Sequence, residues 1–254
     1  MKIAAIALNT FREGIRDRIL YLPFFFALVA VVLSRVLAVL TVGDRVKIVK
    51  DVGLASISLF GLLIAVLIGT GLVYKEIDKK TIYTLLAKPI ERWQFLLGKF
   101  FGLVLTLFVL TAAMAAVFFG VVLAHTSGLD GRLVLAVVFI FLELALITAV
   151  AMLFSCFSTP ILSSVFTLAF FVIGHFSWGL QTLIEKARPG PARTLLRVLY
   201  TVLPDLENFN YKTDAVYGLK ILPQYYALSA LYGLVYTLFV LALAVLIFKK
   251  RDFV

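Results

Sequence analysis

Apolar residues in this chain come in blocks of about 20, the length a helix needs to cross a ~30 Å hydrocarbon core. The blocks cover 19–42, 52–74, 99–124, 132–155, 160–180 and 224–248. Inside lipid, backbone N–H and C=O groups must be bonded locally, so blocks of this length are read as helices. A barrel would alternate apolar and polar residues over ~10-residue segments, and no such alternation is present. The 254-residue chain is 63% hydrophobic and 15% charged, with a mean hydropathy of +1.07. Soluble domains average ~25% charged, so this composition does not suit a soluble surface. The expected fold is all-α and polytopic: six transmembrane helices in one membrane domain over 1–254.

Charge then orients the helices. Six crossings put both termini on one side. With the N-terminus inside, 13 of the 24 basic residues are cytosolic and 11 lie outside or at the outer end of the first helix. Six of the outer ones are spread over the long 181–222 segment, and long loops weigh little. The tight clusters at 75–80 and 249–251 flank helix ends, where the rule applies best. Both termini are therefore expected in the cytosol of a prokaryotic cell, with the chain in its inner (plasma) membrane. Residues 3–18 are interrupted by charge and no small-residue cleavage site follows, so a cleavable signal peptide is not expected. The net charge of +10 suits anionic headgroups. Nucleic acid is a poor partner, because no basic stripe with interleaved aromatics stands on a soluble domain. The single cysteine, Cys156, excludes an intramolecular disulfide and a C-x-x-C metal site.

Two polar segments break the apolar pattern. The first is 1–18, whose Ile3, Ile6, Ala7 and Leu8 separate from Asn9, Arg12, Glu13, Arg16 and Asp17. That separation predicts an amphipathic elbow helix in the membrane interface. The second is the segment 75–98, between the second and third apolar blocks. Tyr74, Lys75 and Glu76 close the preceding helix, and Asp78 can cap a short helix starting near Lys79. Ile82, Leu85 and Leu86 fall at i, i+3, i+4 and make one apolar stripe. Pro89 ends that rod. Glu91 and Arg92 begin a new helix, where Gly98-x-x-x-Gly102 allows close approach of another helix. The reading is a short transverse helix held at both ends, with a stripe suited to a groove on another protein.

The pattern E-x-D-x-x-T-x-x-x-L-L-A-x-P-I-x-R-x-x-x-L-L-G-K from Glu76 to Lys99 resembles the coupling helix of ABC-2 type permeases, the membrane subunits of type V ABC exporters. The amphipathic start, six helices and basic C-terminus also match, so the resemblance covers nearly the whole chain. Residues 142–175 and 203–210 (LPDLENFN) are similar to the branch containing the permease of the nitrous-oxide-reductase maturation system. The resemblance implies a homodimer of permeases, each copy docked on a cytosolic ATP-binding subunit through Glu76, Asp78, Thr81, Ile82, Leu85, Leu86, Pro89 and Arg92. It implies that ATP and Mg bind the partner ATPase, with no cofactor on this chain. The residues agree, since no G-x-x-x-x-G-K-[ST] phosphate loop is present. Membrane scaffold, secondary transporter and intramembrane enzyme are the rival classes. No catalytic residue is assigned.

Polar residues inside the apolar blocks are costly and therefore informative. Glu143 is the one carboxylate deep in such a block, and an ionised side chain there costs at least ~2.5 kcal/mol. His175 lies at comparable depth across the 155–160 turn, at ~1.5 Å of rise per residue. The pair is read as a hydrogen-bonded structural contact or as a proton or substrate contact. In the outer segment 181–222, residues 192–203 predict an amphipathic helix. Asp205, Glu207, Asn208 and Asn210 then offer two carboxylates and two amides, either as a solvated, capped turn or as a hard-cation donor set. No metal is assigned to them. The segment is expected to act as a lid at the outer mouth or a dock for a periplasmic partner.

Overall fold

The structure, a computed structural model, describes residues 2–40, 44–78, 91–124, 126, 128, 130–187, 190–219 and 221–250. Its α-helices are α1 (Lys2–Arg16), α2 (Tyr21–Leu40), α3 (Arg45–Asp78), α4 (Arg92–Leu123), α5 (Gly131–Ser155), α6 (Pro160–His175), α7 (Ser177–Lys186), α8 (Pro191–Val202), α9 (Lys212–Tyr217) and α10 (Pro223–Lys250). Short 3-10 turns fill Arg18–Leu20 and Leu206–Phe209. There is no strand among the described residues, as the absence of period-2 alternation requires.

Among the described residues, four helices are long and apolar enough to cross a membrane: Arg45–Gly71, Arg92–Leu123, Gly131–Ser155 and Pro223–Lys249. A fifth span results if α1 and α2, bent by 66°, count as one broken crossing. The expected block 160–180 does not form one full-length helix. It breaks at Phe176, leaving α6 with 16 residues, or about 24 Å of helix against a ~30 Å core. The second block is longer than expected at both ends. α3 starts at Arg45 and stays helical to Asp78 instead of closing at Tyr74–Glu76.

The core pair is α3 and α5, with 67% of each apolar window buried, against 33% for α4 and 28% for α10. The α3 face Gly61-x-x-x-Ala65-x-x-x-Gly69 sets the approach. A Cβ at Gly61 would lie 2.5 Å from Leu144 Cδ1, and one at Gly69 would lie 2.5 Å from the Ala151 Cβ. These small residues therefore pack within the chain. Hydroxyls add to these contacts: Thr70 Oγ1 of α3 and Ser164 Oγ of α6 are 3.1 Å apart, and Ser155 Oγ of α5 donates to the Thr70 carbonyl at 3.1 Å. Outward faces stay apolar and exposed, with Phe101, Leu105 and Phe108 on α4 and Leu228, Leu231, Leu234 and Leu238 on α10. Such faces suit lipid.

Candidate functional site: the two ends of the bundle

At one end α3 finishes at Asp78 and α4 starts at Arg92. Glu76 and Asp78 belong to the last helical turns of α3, so Asp78 ends that helix. Thr81, Ile82, Leu85, Leu86 and Pro89 lie outside the described residues. The start of α4 is fixed locally. The Glu91 N–H donates to the Gln94 side-chain carbonyl at 3.4 Å, and Trp93 Nε1 donates to the Glu91 carboxylate. This is one arm of a capping box. Arg92 turns toward the C-terminal end of α10. Its Nη1 donates to the Lys249 carbonyl at 2.8 Å and to the Phe248 carbonyl at 3.3 Å. The rings of Phe95 and Phe248 stack beside this contact at 6.1 Å. A guanidinium on the last carbonyls of a helix satisfies groups that have no intrahelical donor.

The Gly98-x-x-x-Gly102 motif receives α1. A Cβ at Gly98 would lie 2.7 Å from the Ile6 Cβ, and one at Gly102 would lie 2.5 Å from the Ala7 carbonyl oxygen. Gly14 sits the same way against Thr106, whose Oγ1 would be 2.8 Å from its Cβ. Contacts recur every four residues on both helices, and the two run in the same sense. Lys99 is buried in this seam, 1% exposed, with its Nζ 3.4 Å from Glu13 Oε2. Lys99 is one of the 13 basic residues that the charge count assigns to the cytosolic pieces. Its position inside the small-residue motif was the available signal that it faces a neighbour. α1, the start of α4 and the end of α10 are therefore joined around the exit of 79–90.

In the middle of the bundle, Glu143 and His175 meet. His175 Nε2 is 3.3 Å from Glu143 Oε1, and the Glu143 side chain is 1% exposed. His175 Nδ1 is 3.3 Å from the Phe171 carbonyl. If that nitrogen carries the proton, Nε2 is left to face the carboxyl group. Lys212 and Glu207 are close enough to act electrostatically on both residues. Lys212 Nζ donates to Ser58 Oγ of α3 at 3.2 Å. Lys212 and Ser58 were not singled out in the sequence; a lysine in a polar outer segment carries no mark of inward placement.

The outer residues are bound into the fold. Asp205 Oδ1 accepts from the Ser177 hydroxyl at 2.7 Å and from the Glu207 N–H at 3.1 Å. The Asp205 N–H donates to the Tyr232 hydroxyl at 2.9 Å. Asn210 Nδ2 donates to Glu207 Oε1 at 2.7 Å, and Asn208 Nδ2 donates to the Asp205 carbonyl at 3.3 Å. Leu206 and Phe209 are buried, packed where Gly174 and Gly233 leave room. The four polar residues thus form a self-bonded turn over an apolar plug. Gly218 closes α9 at φ +70°, where its carbonyl accepts from Arg132 Nη1 at 2.7 Å. Among the described residues no group of three or more His, Cys, Asp or Glu has metal-binding geometry.

Several apolar spans around a helical core, with one carboxylate buried at mid-depth, define a multi-pass membrane protein. The family model of the ABC-2 family transporter protein matches residues 4–253, and the chain belongs to that family. It is a permease subunit of an ABC transporter, a transport subunit and not itself a catalyst. A search of curated proteins returns no match.

Proposed function

We propose that this chain is the permease of an ABC exporter in a prokaryotic inner membrane, working as a homodimer whose copies each dock on a cytosolic ATPase through 76–92. The observation that carries the reading is the family match over 4–253. The architecture around the proposed docking segment supports it. A segment joined to α3 at Asp78 and to α4 at a capped start can pass a push to three helices, because Arg92 and the α1 seam bind α10 and α1 to α4. ATP and Mg belong to the partner in this reading. Glu143 and His175 are proposed as a polar contact on the transport path, and the plug around Asp205–Asn210 as its outer lid or periplasmic dock. Likeness of 142–175 and 203–210 to the nitrous-oxide-reductase maturation branch adds a proposed subgroup.

The test uses the ATPase encoded beside this gene, purified with the chain in lipid nanodiscs. Leu85→Asp/Leu86→Asp is expected to abolish stable association and the stimulation of ATP turnover, while the permease stays folded and dimeric. Glu143→Gln is expected to keep ATPase association and change the stimulation. If the wild-type chain neither binds nor stimulates the ATPase, the docking reading fails, and gradient-driven transport or scaffolding takes its place.

A further inference from the structure

The α1 helix shows two opposed faces. Its inner face is consumed by the seam with α4, where Ile6, Ala7, Thr10 and Gly14 meet Gly98, Gly102 and Thr106. Its outer face, continued into the 3-10 turn, exposes Asn9, Arg12, Arg16 and Arg18. These four residues line an open cleft of about 790 Å³ with Glu13 and Asp17. Glu13 is turned to Lys99 at 3.4 Å. Among the described residues, none of the three guanidiniums makes an ion pair.

Depth decides what kind of partner this cleft meets. α1 and α4 run in the same sense, so Ile6 sits at Gly98 and Gly14 at Thr106. Thr106 lies 14 residues past Arg92, or about 21 Å along α4. At that level α4 exposes Phe101, Leu105 and Phe108, 53%, 42% and 52% open. Just beyond the arginines the chain exposes Tyr21, Leu22, Phe25 and Phe26. The Tyr21 hydroxyl donates to the Ile15 carbonyl at 2.7 Å and fixes the turn between them. The guanidiniums therefore stand at the border between the polar end of the bundle and its lipid-facing band. A soluble partner gripping 79–90 meets the opposite end of α1, near Ile3. At the border, a guanidinium reaches the headgroup layer and donates paired N–H groups to phosphate oxygens.

We propose that Arg12, Arg16 and Arg18 form a binding site for the phosphate of an anionic phospholipid, which pins the α1–α4 seam to the leaflet surface. The site stands independently of the ATPase reading. Each arginine near an anionic surface is worth about 1 kcal/mol, or about fivefold in affinity.

Native mass spectrometry of the full chain, titrated in detergent with phosphatidylglycerol or phosphatidylcholine, tests this. The wild-type protein is expected to prefer phosphatidylglycerol. Arg12→Gln/Arg16→Gln/Arg18→Gln should lose that preference, at about fivefold per arginine. The corresponding triple Lys variant should keep part of it, retaining charge without the paired donors. Arg193→Gln/Arg197→Gln on α8 should leave it unchanged. Should the triple Gln variant fail to fold, Arg12→Gln and Arg16→Gln singly decide, and no weakening in either overturns the proposal. An unchanged preference in the triple variant, or an equal loss in the α8 control, also overturns it. So does retained lipid preference with lost ATPase association, which would make the face a dock for an acidic protein surface.

Discussion

Two glycines in α4 face opposite circumstances, and substitution separates them. Gly102 lies against backbone: an added Cβ would be 2.5 Å from the Ala7 carbonyl oxygen, which no rotamer change relieves. Gly120, on the same helix, has nothing within 4 Å of that position. Gly102→Ala should therefore destabilise by about 1–3 kcal/mol through overpacking. Gly120→Ala should be neutral or stabilising by up to ~1 kcal/mol. Thermal unfolding in detergent, paired with cross-linking between α1 and α4, reads both; equal behaviour of the two variants would dismiss the seam. The motif itself was legible, because small residues four apart are the pattern that lets backbones approach. Which helix fills it was not, since α1 is distant in sequence and its apolar side fits a lipid interface equally well. Glu143 and His175 were legible from helical rise alone. Lys212, which reaches Ser58 of α3 from the start of α9, was not.

At the scale of elements, α3 illustrates how a helix begins seven residues before its apolar block. Asp44 supplies the start. The Val46 N–H donates to Asp44 Oδ1 at 3.2 Å, and Lys47 Nζ lies 3.2 Å from Oδ2. The Lys47 side-chain hydrogen bond holds the Asp44 carboxyl below its ordinary value of 3.8. A folded pKa lowered below the unfolded one gives stability that is present above the unfolded value and lost as pH falls through the folded one. Protection of the Val46 and Lys47 amides, taken against the intrinsic exchange rate at each pH, should therefore fall as pH drops below about 4. Asp44→Asn should keep the cap and lose the pH dependence; exchange that responds to pH equally in both forms would remove Asp44 as the cause. The break at Phe176 is the contrasting case. No proline or glycine marks His175–Ser177, and the apolar run passes through it. Ser177 instead donates to Asp205 at 2.7 Å, a tertiary contact that periodicity does not carry. The start of α4 and the amphipathic α8 were both readable, the first from Glu91 and Arg92, the second from its separated polar and apolar faces; the part Gln94 plays at that start was not.

For the whole molecule, parity of crossings decides the sidedness of everything else. Among the described residues four or five helices meet the length of a span, while the apolar pattern has six blocks, and α6 with its 16 residues is the element on which parity turns. A short helix still completes a crossing if the bilayer thins or if α7 continues it after the break. Single-cysteine labelling settles the count, and the chain is suited to it because Cys156, its one cysteine, is buried. On a Cys156→Ser background, exposed positions are tested one at a time: Ala5→Cys on α1, Asn208→Cys in the outer turn and Lys249→Cys at the end of α10. With both termini inside, a membrane-impermeant maleimide added to intact cells should label only position 208. Positions 5 and 249 should label after permeabilisation. α10 separates 208 from 249, so those two must differ whatever the total. Labelling of 5 together with 208 would mean an odd number of crossings. The arginine cleft of α1 would then face the other leaflet, away from the anionic surface, and the lipid site would lose its physical basis.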